Sequence, residues 1–410
     1  MVSVCFYFQV HQPYRLKPFQ IFDIGNRKSY FDEEKNKQVL LKVAQKCYLP
    51  ANQAILELLK KHPEMKVSFS FSGVVLDQFE EYCPEALASF QELIKTGQVE
   101  VLAETYYHSL SFLYSEQEFV QQVQKHEQKI KKLFGVKPKV LRNTELIYNN
   151  ALAEKAAEMG YDAVLLEGAD KILGWRSPNF VYQPIKGKIN LLLKNYTLSD
   201  DIAFRFSNQN WKEHPLTAEK YTQWINSING DGQTVNLFMD YETFGEHQWE
   251  STGIFEFLKK LPEELLKHPD NSFKFPSEVA ASYSSVGKLD VPDFVSWADL
   301  ERDVSAWLGN EMQRSAIGKL YAIEKEIMEN GDEQIISDWR KLQTSDHFYY
   351  MCTKWFSDGD VHKYFNPYDS PYDAFINFMN IYKDLVYRID KKEEGMIEVA
   401  EPLLKNEVRP

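Results

Sequence analysis

The stretch Val2-Ser3-Val4-Cys5-Phe6-Tyr7-Phe8-Gln9-Val10-His11 reads as one β-strand with two unlike faces. Successive side chains of a strand point to opposite sides. Val2, Val4, Phe6, Phe8 and Val10 therefore share an apolar face, and Ser3, Cys5, Tyr7, Gln9 and His11 share a small or polar one. The division recurs downstream. Val67, Phe69 and Phe71 oppose Ser68, Ser70 and Ser72; Val99 and Val101 oppose Gln98, Glu100 and Glu104; Val235, Leu237 and Met239 oppose Thr234, Asn236 and Asp240. Further strand patterns lie at 139–143 and 161–166, and 168–206 holds several short strand-like runs.

Helical periodicity fills the intervals: 35–61 with a break near Pro50, 74–95 stopping at Gly97, 116–133, 149–159 stopping at Gly160, 217–229 and 253–261. Alternating strand and helix imply a parallel sheet. An open, doubly wound sheet buries both faces and reads apolar throughout. One polar face instead fits a β/α barrel with a wet mouth. The polar series end at His11, Glu104 and Asp240, at carboxyl ends of strands, where barrel enzymes hold their chemistry. From about Trp297 long helical patterns take over through Tyr387. The expected division is a barrel over 1–295 and a C-terminal helical domain over 296–410.

Hydrophobic residues make up 44% of the 410 and charged residues 26%, ordinary for a large globular core. Asp plus Glu number 60 against 47 Lys plus Arg, a formal charge of −13. Nucleic acid and anionic membranes need a basic patch, so neither is the expected partner. No run reaches the roughly 18 apolar residues of a membrane span. The apolar start lacks a basic flank and runs into His11, so it reads as a strand and not a signal peptide. Cys5, Cys47, Cys83 and Cys352 are scattered without framework spacing. They read as buried thiols in a reducing compartment, which points to a cytoplasmic protein.

The densest polar run is Asp240-Tyr241-Glu242-Thr243-Phe244-Gly245-Glu246-His247. Asp240 and Glu242 are two apart, close enough for each to raise the other's pKa and for one to serve as a general acid. Leu141-Arg142-Asn143-Thr144-Glu145 also ends a strand. A carboxylate beside Arg142 stays ionised and can act as a nucleophile, or it can simply sit in the first turn of a helix. His11, Gln12, Glu100 and His108 stand on the same expected rim, and Asp346-His347 lies in the helical region. Trp175, Trp211, Trp249 and Trp355 are candidate platforms for a sugar ring, Trp249 foremost because it follows His247 by two. His11, Asp240 and His247 could together suit a divalent ion. No nucleotide-binding glycine loop, G-x-S-x-G or H-E-x-x-H is present.

The motifs HQPY (11–14), GQVE (97–100), RNTEL (142–146), DYETFGEH (240–247) and SDHF (345–348) occur in one order. That order resembles glycoside hydrolase family 57, the α-amylase and 4-α-glucanotransferase family. The resemblance implies an incomplete (β/α)7 barrel followed by helices that help wall the cleft. It implies a retaining mechanism with no metal or cofactor, Glu145 as nucleophile and Asp240 as general acid/base. It places His11, Glu100, Arg142, Glu242, His247, Asp346 and His347 in motifs lining the donor-side sugar site. The residues after Glu100 depart from the glycine pair found in many relatives, reading Val101-Leu102-Ala103-Glu104. The expected activity is α-1,4-glucan hydrolysis, with glucan transfer or branching by the same residues as the alternative. Two rivals are a metal-dependent carbohydrate deacetylase and a non-catalytic glucan-binding protein.

Overall fold

A computed structural model describes residues 2–26, 29–354 and 366–405. Its strands are β1 (Val2–Val10), β2 (Val67–Phe71), β3 (Val99–Val101), β4 (Val140–Arg142), β5 (Ala163–Glu167), β6 (Val181–Pro184), β7 (Asn190–Lys194), β8 (Thr234–Asp240), β9 (Asn271–Phe273) and β10 (Lys288–Leu289). β3, β2, β1 and β8 are neighbours in that order, all parallel. β4, β5 and β7 form a second parallel run. Two narrow seams join the runs. Ala103 and Leu141 make a parallel bridge beyond β3, and the Asn195 N–H donates to the Asn236 carbonyl at 2.9 Å. The result is a ring of seven parallel strands, β1-β2-β3-β4-β5-β7-β8, with helices between successive strands. β6 runs antiparallel to β7 and carries β10, while β9 pairs with the start of β1.

The two faces of β1 have the environments that their parity implies. Val2, Val4, Phe6, Phe8 and Val10 belong to the larger core, packed against the surrounding helices with Phe69, Phe71, Leu237 and Met239. Phe69 meets Phe90 and Tyr241 edge to face, as Phe71 meets Phe90, with ring centroids 4.9–5.6 Å apart. Fully burying one such ring stabilises by about 1.5–3 kcal/mol. Cys5 and Tyr7 point inward to a smaller core with Leu102, Val140, Leu165, Leu192 and Phe238. The barrel interior thus has an apolar layer around Cys5, Tyr7 and Phe238, with polar side chains both at the amino ends, Ser3, Thr234 and Glu100 among them, and at the carboxyl ends.

Helices differ from expectation where a local device intervenes. The segment 35–61 does not break at Pro50. Helix Glu33–Val43 continues through a π-helical turn, Ala44–Tyr48, into helix Leu49–Lys61. Pro50 falls in the first turn of that last helix, where its missing N–H costs nothing. The segment 74–95 instead splits into Gly73–Tyr82 and Pro84–Lys95, because Pro84 opens a new helix after Cys83, whose backbone is not helical. Pro262 sits inside helix Ile254–Leu266, which runs past the expected end at 261.

The chain divides into two compact units. The first comprises Met1–Gln12, Lys37–His108 and Phe119–Val304, and holds the barrel. It runs on past 295, so Trp297 and Arg302 belong to it. The second comprises Pro13–Asn36, Ser109–Glu118 and Ser305–Pro410. It is helical, with Glu311–Ala322, Glu333–Leu342 and Pro371–Lys405 as its main helices. Inside it Arg340 forms a bidentate pair with buried Glu118, both bonds at 2.9 Å, and Tyr30 donates to Asp384 at 2.6 Å. Among the described residues no helix is long and apolar enough to cross a membrane.

Candidate active site

A chain of hydrogen bonds climbs the inner wall of the first unit. The Tyr7 hydroxyl and the Ser70 hydroxyl both donate to Gln9 Oε1, at 2.7 and 2.8 Å, and Gln9 Nε2 donates to Glu104 at 3.2 Å. These are the polar-face residues of β1 and β2 carried to the carboxyl ends. Glu104 is completely buried. It meets His108 Nδ1 at 3.3 Å and lies 3.6 Å from Arg142 Nη1. The other ring nitrogen of His108 meets Glu145 Oε1 at 3.2 Å. His108 stacks on His11 at 3.9 Å between centroids, and His11 Nδ1 meets the Ser72 hydroxyl at 2.7 Å.

Glu145 follows β4 in a single tight turn, Thr144–Leu146, and not at the start of a regular helix. Glu145 and Leu146 both have positive φ (58° and 51°), as does His108 (50°). Non-glycine residues adopt this region rarely and at a cost of about 1–3 kcal/mol each. Tyr148 and Val295 form an isolated antiparallel bridge, which brings Trp297 alongside. The Trp297 indole N–H donates to Glu145 Oε2 at 2.7 Å. Burial acts to raise the Glu145 pKa, but His108, Arg142 and the indole N–H together outweigh it and hold the carboxyl below its usual range. For His108, burial favours the neutral ring, yet the carboxylates of Glu104 and Glu145 prevail and push it up to about 9.

Asp240 ends β8, half-buried, and has the opposite balance. Burial first, then the charge of Glu145, push it up to about 6 against the pull of Arg142, His108 and Lys194. The backbone from Asp240 to Glu242 is not extended, because Tyr241–Thr243 forms a tight turn. Glu242 accepts from the Tyr48 hydroxyl, which the π-helical turn supplies. Burial and the charge of Asp240 push Glu242 up to about 8. The Gly245 backbone (φ 116°) lies so close to Lys46 that an added Cβ would stand 2.0 Å from the Lys46 carbonyl oxygen. Gly245→Ala is therefore expected to cost more than about 2 kcal/mol, read as a lowered urea midpoint with an unchanged m-value. A midpoint within the scatter of wild type would mean that this loop is not held against the π turn.

The other expected residues are placed as follows. The buried side chain of Gln12 bonds to Tyr48, and its carbonyl accepts from Gln78. The His247 N–H donates to the Glu242 carbonyl at 2.9 Å, and burial lowers its ring pKa to about 4, so the ring is neutral. Trp249 is exposed beside Lys46. Glu100 is not with the group around Glu145. It stands inside β3, level with Ser68, and accepts from the Ser277 N–H at 3.1 Å, near Glu278 and Lys139. The residue that reaches the group is Glu104, four along. Arg142 is wholly buried behind Glu145 and Trp297, with its guanidinium carbon 4.9 Å from the indole ring centroid. Asp346 and His347 belong to the second unit, on helix Ser345–Tyr349. Trp211 packs on the main core, Trp175 is exposed, and Trp355 lies outside the described residues. Among the described residues no three His, Cys, Asp or Glu side chains are grouped as metal ligands, and His11, Asp240 and His247 form no such set.

Four further charges complete the surroundings. Lys194 pairs with Asp200 at 3.0 Å and Glu167 at 3.6 Å; Arg302 pairs with Glu167 at 3.1 Å and Asp200 at 2.9 Å. Sequence reading passed over them, and over Trp297 and Tyr48. Glu104 alone carried a signal, as the end of the polar series on β3.

The model of Glycosyl hydrolase family 57 matches residues 5–292. A Methanocaldococcus jannaschii protein provisionally named an alpha-amylase is 47% identical over 399 residues, covering 94% of this chain and 84% of that one. Among solved structures, a family 57-type branching enzyme from Pyrococcus horikoshii superposes with a TM-score of 0.65 at 16% identity, over 89% of this chain and 87% of that one. A 4-alpha-glucanotransferase from Thermococcus litoralis gives 0.59 at 18% identity, over 92% of this chain but 59% of that one. At such identities the superpositions speak for the fold, and the seven-stranded ring agrees with them. The family model spans most of the barrel, including both carboxyl-bearing motifs, and on that ground the chain belongs to glycosyl hydrolase family 57.

Proposed function

We propose that the chain is a retaining α-glycosidase of α-1,4-glucans, acting by double displacement with Glu145 as nucleophile and Asp240 as general acid/base. The observation that carries this reading is the split between two neighbouring carboxyls, one held ionised and the other pushed up to about 6. Such a split is how acid and nucleophile are assigned from environment. Protonated Asp240 gives its proton to the departing glycosidic oxygen as Glu145 attacks the anomeric carbon and forms an ester. Asp240, now ionised, takes a proton from the incoming hydroxyl, which attacks the anomeric carbon and releases Glu145 as the carboxylate. His11, Gln12, His108, Glu242, His247 and Trp249 are the proposed sugar-binding set of the first unit, and Glu104 supports it in place of Glu100. Arg142 acts on Glu145 from behind. For Asp346 and His347 the proposal rests on their motif alone. Four free, buried cysteines support a reducing, cytoplasmic setting.

The second reading is glucan transfer by the same residues, supported by the names of the solved relatives. Maltoheptaose with excess chelator separates the cases. Shorter products alone indicate hydrolysis, longer ones indicate transfer, and loss of activity restored by a divalent metal indicates the metal-dependent rival. Untouched substrate would end the α-glucan assignment.

The pH profile follows from the same split. The acid must be protonated and the nucleophile ionised. With Asp240 near 6, kcat/KM is expected to fall as pH rises through about 6, and with Glu145 lowered it should hold on the acid side to below 4.5, the ordinary value. A profile still rising between pH 6 and 8 would contradict Asp240 as the acid.

A further inference from the structure

We propose that Trp297 is a positioning residue for the nucleophile: the part of it that the reaction uses is the indole N–H, which fixes one oxygen of Glu145, while its ring is held by buried cations. The inference rests on the assignment of Glu145 proposed above.

A tryptophan at a sugar site is ordinarily read as a stacking surface, and four others in this chain invite that reading. Trp297 is differently occupied. The buried Arg142 guanidinium lies over its ring, and the Nζ of buried Lys194 lies 5.4 Å from the ring centroid. Cations in these positions are drawn to the ring's negative face and fix its plane. Indole has a single donor. Trp297 spends it on Glu145 Oε2 at 2.7 Å, while His108 takes Oε1 at 3.2 Å. The two oxygens are thereby tied by different elements, His108 from beyond β3 and Trp297 from a segment 152 residues away.

That segment is itself held. The Trp297 N–H donates to the Glu145 carbonyl at 3.3 Å, and Tyr148 and Val295 exchange two bonds at 2.9 Å. The Trp297 carbonyl accepts from Arg302 Nη1 at 2.7 Å. Arg302 is fixed by Glu167 and Asp200, and those same two carboxylates hold Lys194. The four-charge knot so grips Trp297 twice: at its backbone through Arg302 and at its ring through Lys194. The titratable and charged groups acting on Glu145 are His108 with Glu104 behind it, Arg142 and Asp240.

Trp297→Phe keeps an aromatic ring beside the cations and removes the donor. The first readout needs no substrate: titration of the Glu145 carboxyl by 13C NMR, its resonance identified by its absence in Glu145→Gln. A lost hydrogen bond to a charged group corresponds to a rise of about one pH unit or more. The acid limb of kcat/KM should move up with it, and kcat should fall at least about tenfold with KM within about threefold. Arg302→Met, which frees the Trp297 carbonyl but leaves the indole, should give a smaller shift in the same direction. It decides the matter by the same readouts if the Phe variant fails to fold.

An unmoved Glu145 titration in both variants, or a raised KM with kcat and the acid limb unchanged, would overturn the proposal in favour of a stacking or purely structural tryptophan. A shifted titration in a protein that leaves every α-glucan untouched would instead uphold the positioning role and remove the substrate assignment.

Discussion

Glu145→Gln should retain no more than about one part in 10^4 of the wild-type kcat on maltoheptaose, while still binding it. The amide has the shape of the carboxylate but not its negative charge, so its oxygen is too weak a nucleophile to bond to the anomeric carbon. Its oxygen can still accept from Trp297, so the local structure should survive. Calorimetric binding of maltoheptaose to the variant, within about tenfold of wild type, would separate lost chemistry from lost fold. Turnover within tenfold of wild type would mean that Glu145 is not the nucleophile, and the double-displacement scheme would go with it.

The second large effect is on stability. Arg142→Met should cost about 3–5 kcal/mol at pH 7, because it strips the cation from a pair whose partner cannot reach water. Arg142 and Glu104 are both fully buried and 3.6 Å apart. Met fills much of the same space, so the loss is one of charge more than of packing. For Glu104, burial alone would raise the carboxyl, but His108, Arg142 and His126 outweigh it and lower it. A carboxyl lowered in the folded state contributes stability above its unfolded pKa, near 4.3, and loses it as pH falls through the folded value. The gap between wild type and Arg142→Met should thus be widest near neutrality and close as pH drops below about 4. Equal urea midpoints at pH 7 would show that the cost of burying the guanidinium cancels its attraction to Glu104.

The barrel was legible because strand parity is a property of neighbouring residues. In β1, β2 and β8 the side that reads apolar is the side that meets the helices. Glu145 and Asp240 were legible for the same reason, since each sits at the end of a strand that sequence reading can locate. What failed to show are associations between distant segments. Nothing near Trp297 marks it as a partner of a residue 152 positions earlier. Lys194 and Glu167 lie in runs too short to phase, and Asp200 and Arg302 lie outside strands altogether. Glu100 was named from its motif, while the strand parity ran on to Glu104. β3 ends one residue on, at Val101, and it is Glu104, the next polar residue on the same face, that meets His108 and Arg142. The π-helical turn at Ala44–Tyr48 is invisible to a 3.6-residue period, yet it supplies the hydroxyl that meets Glu242.

The left-handed backbone at Glu145 sets heat resistance and activity against each other. Glycine or asparagine there would relieve the chain, and the Glu145 side chain is not part of the packed core, so a library screened only for survival on heating would accumulate such replacements. At Leu146 and His108 the same exchange would empty a fully buried core position or strip a buried partner from Glu104, so the strain there stays. The surviving proteins would be sturdier shells of the same barrel without their nucleophile.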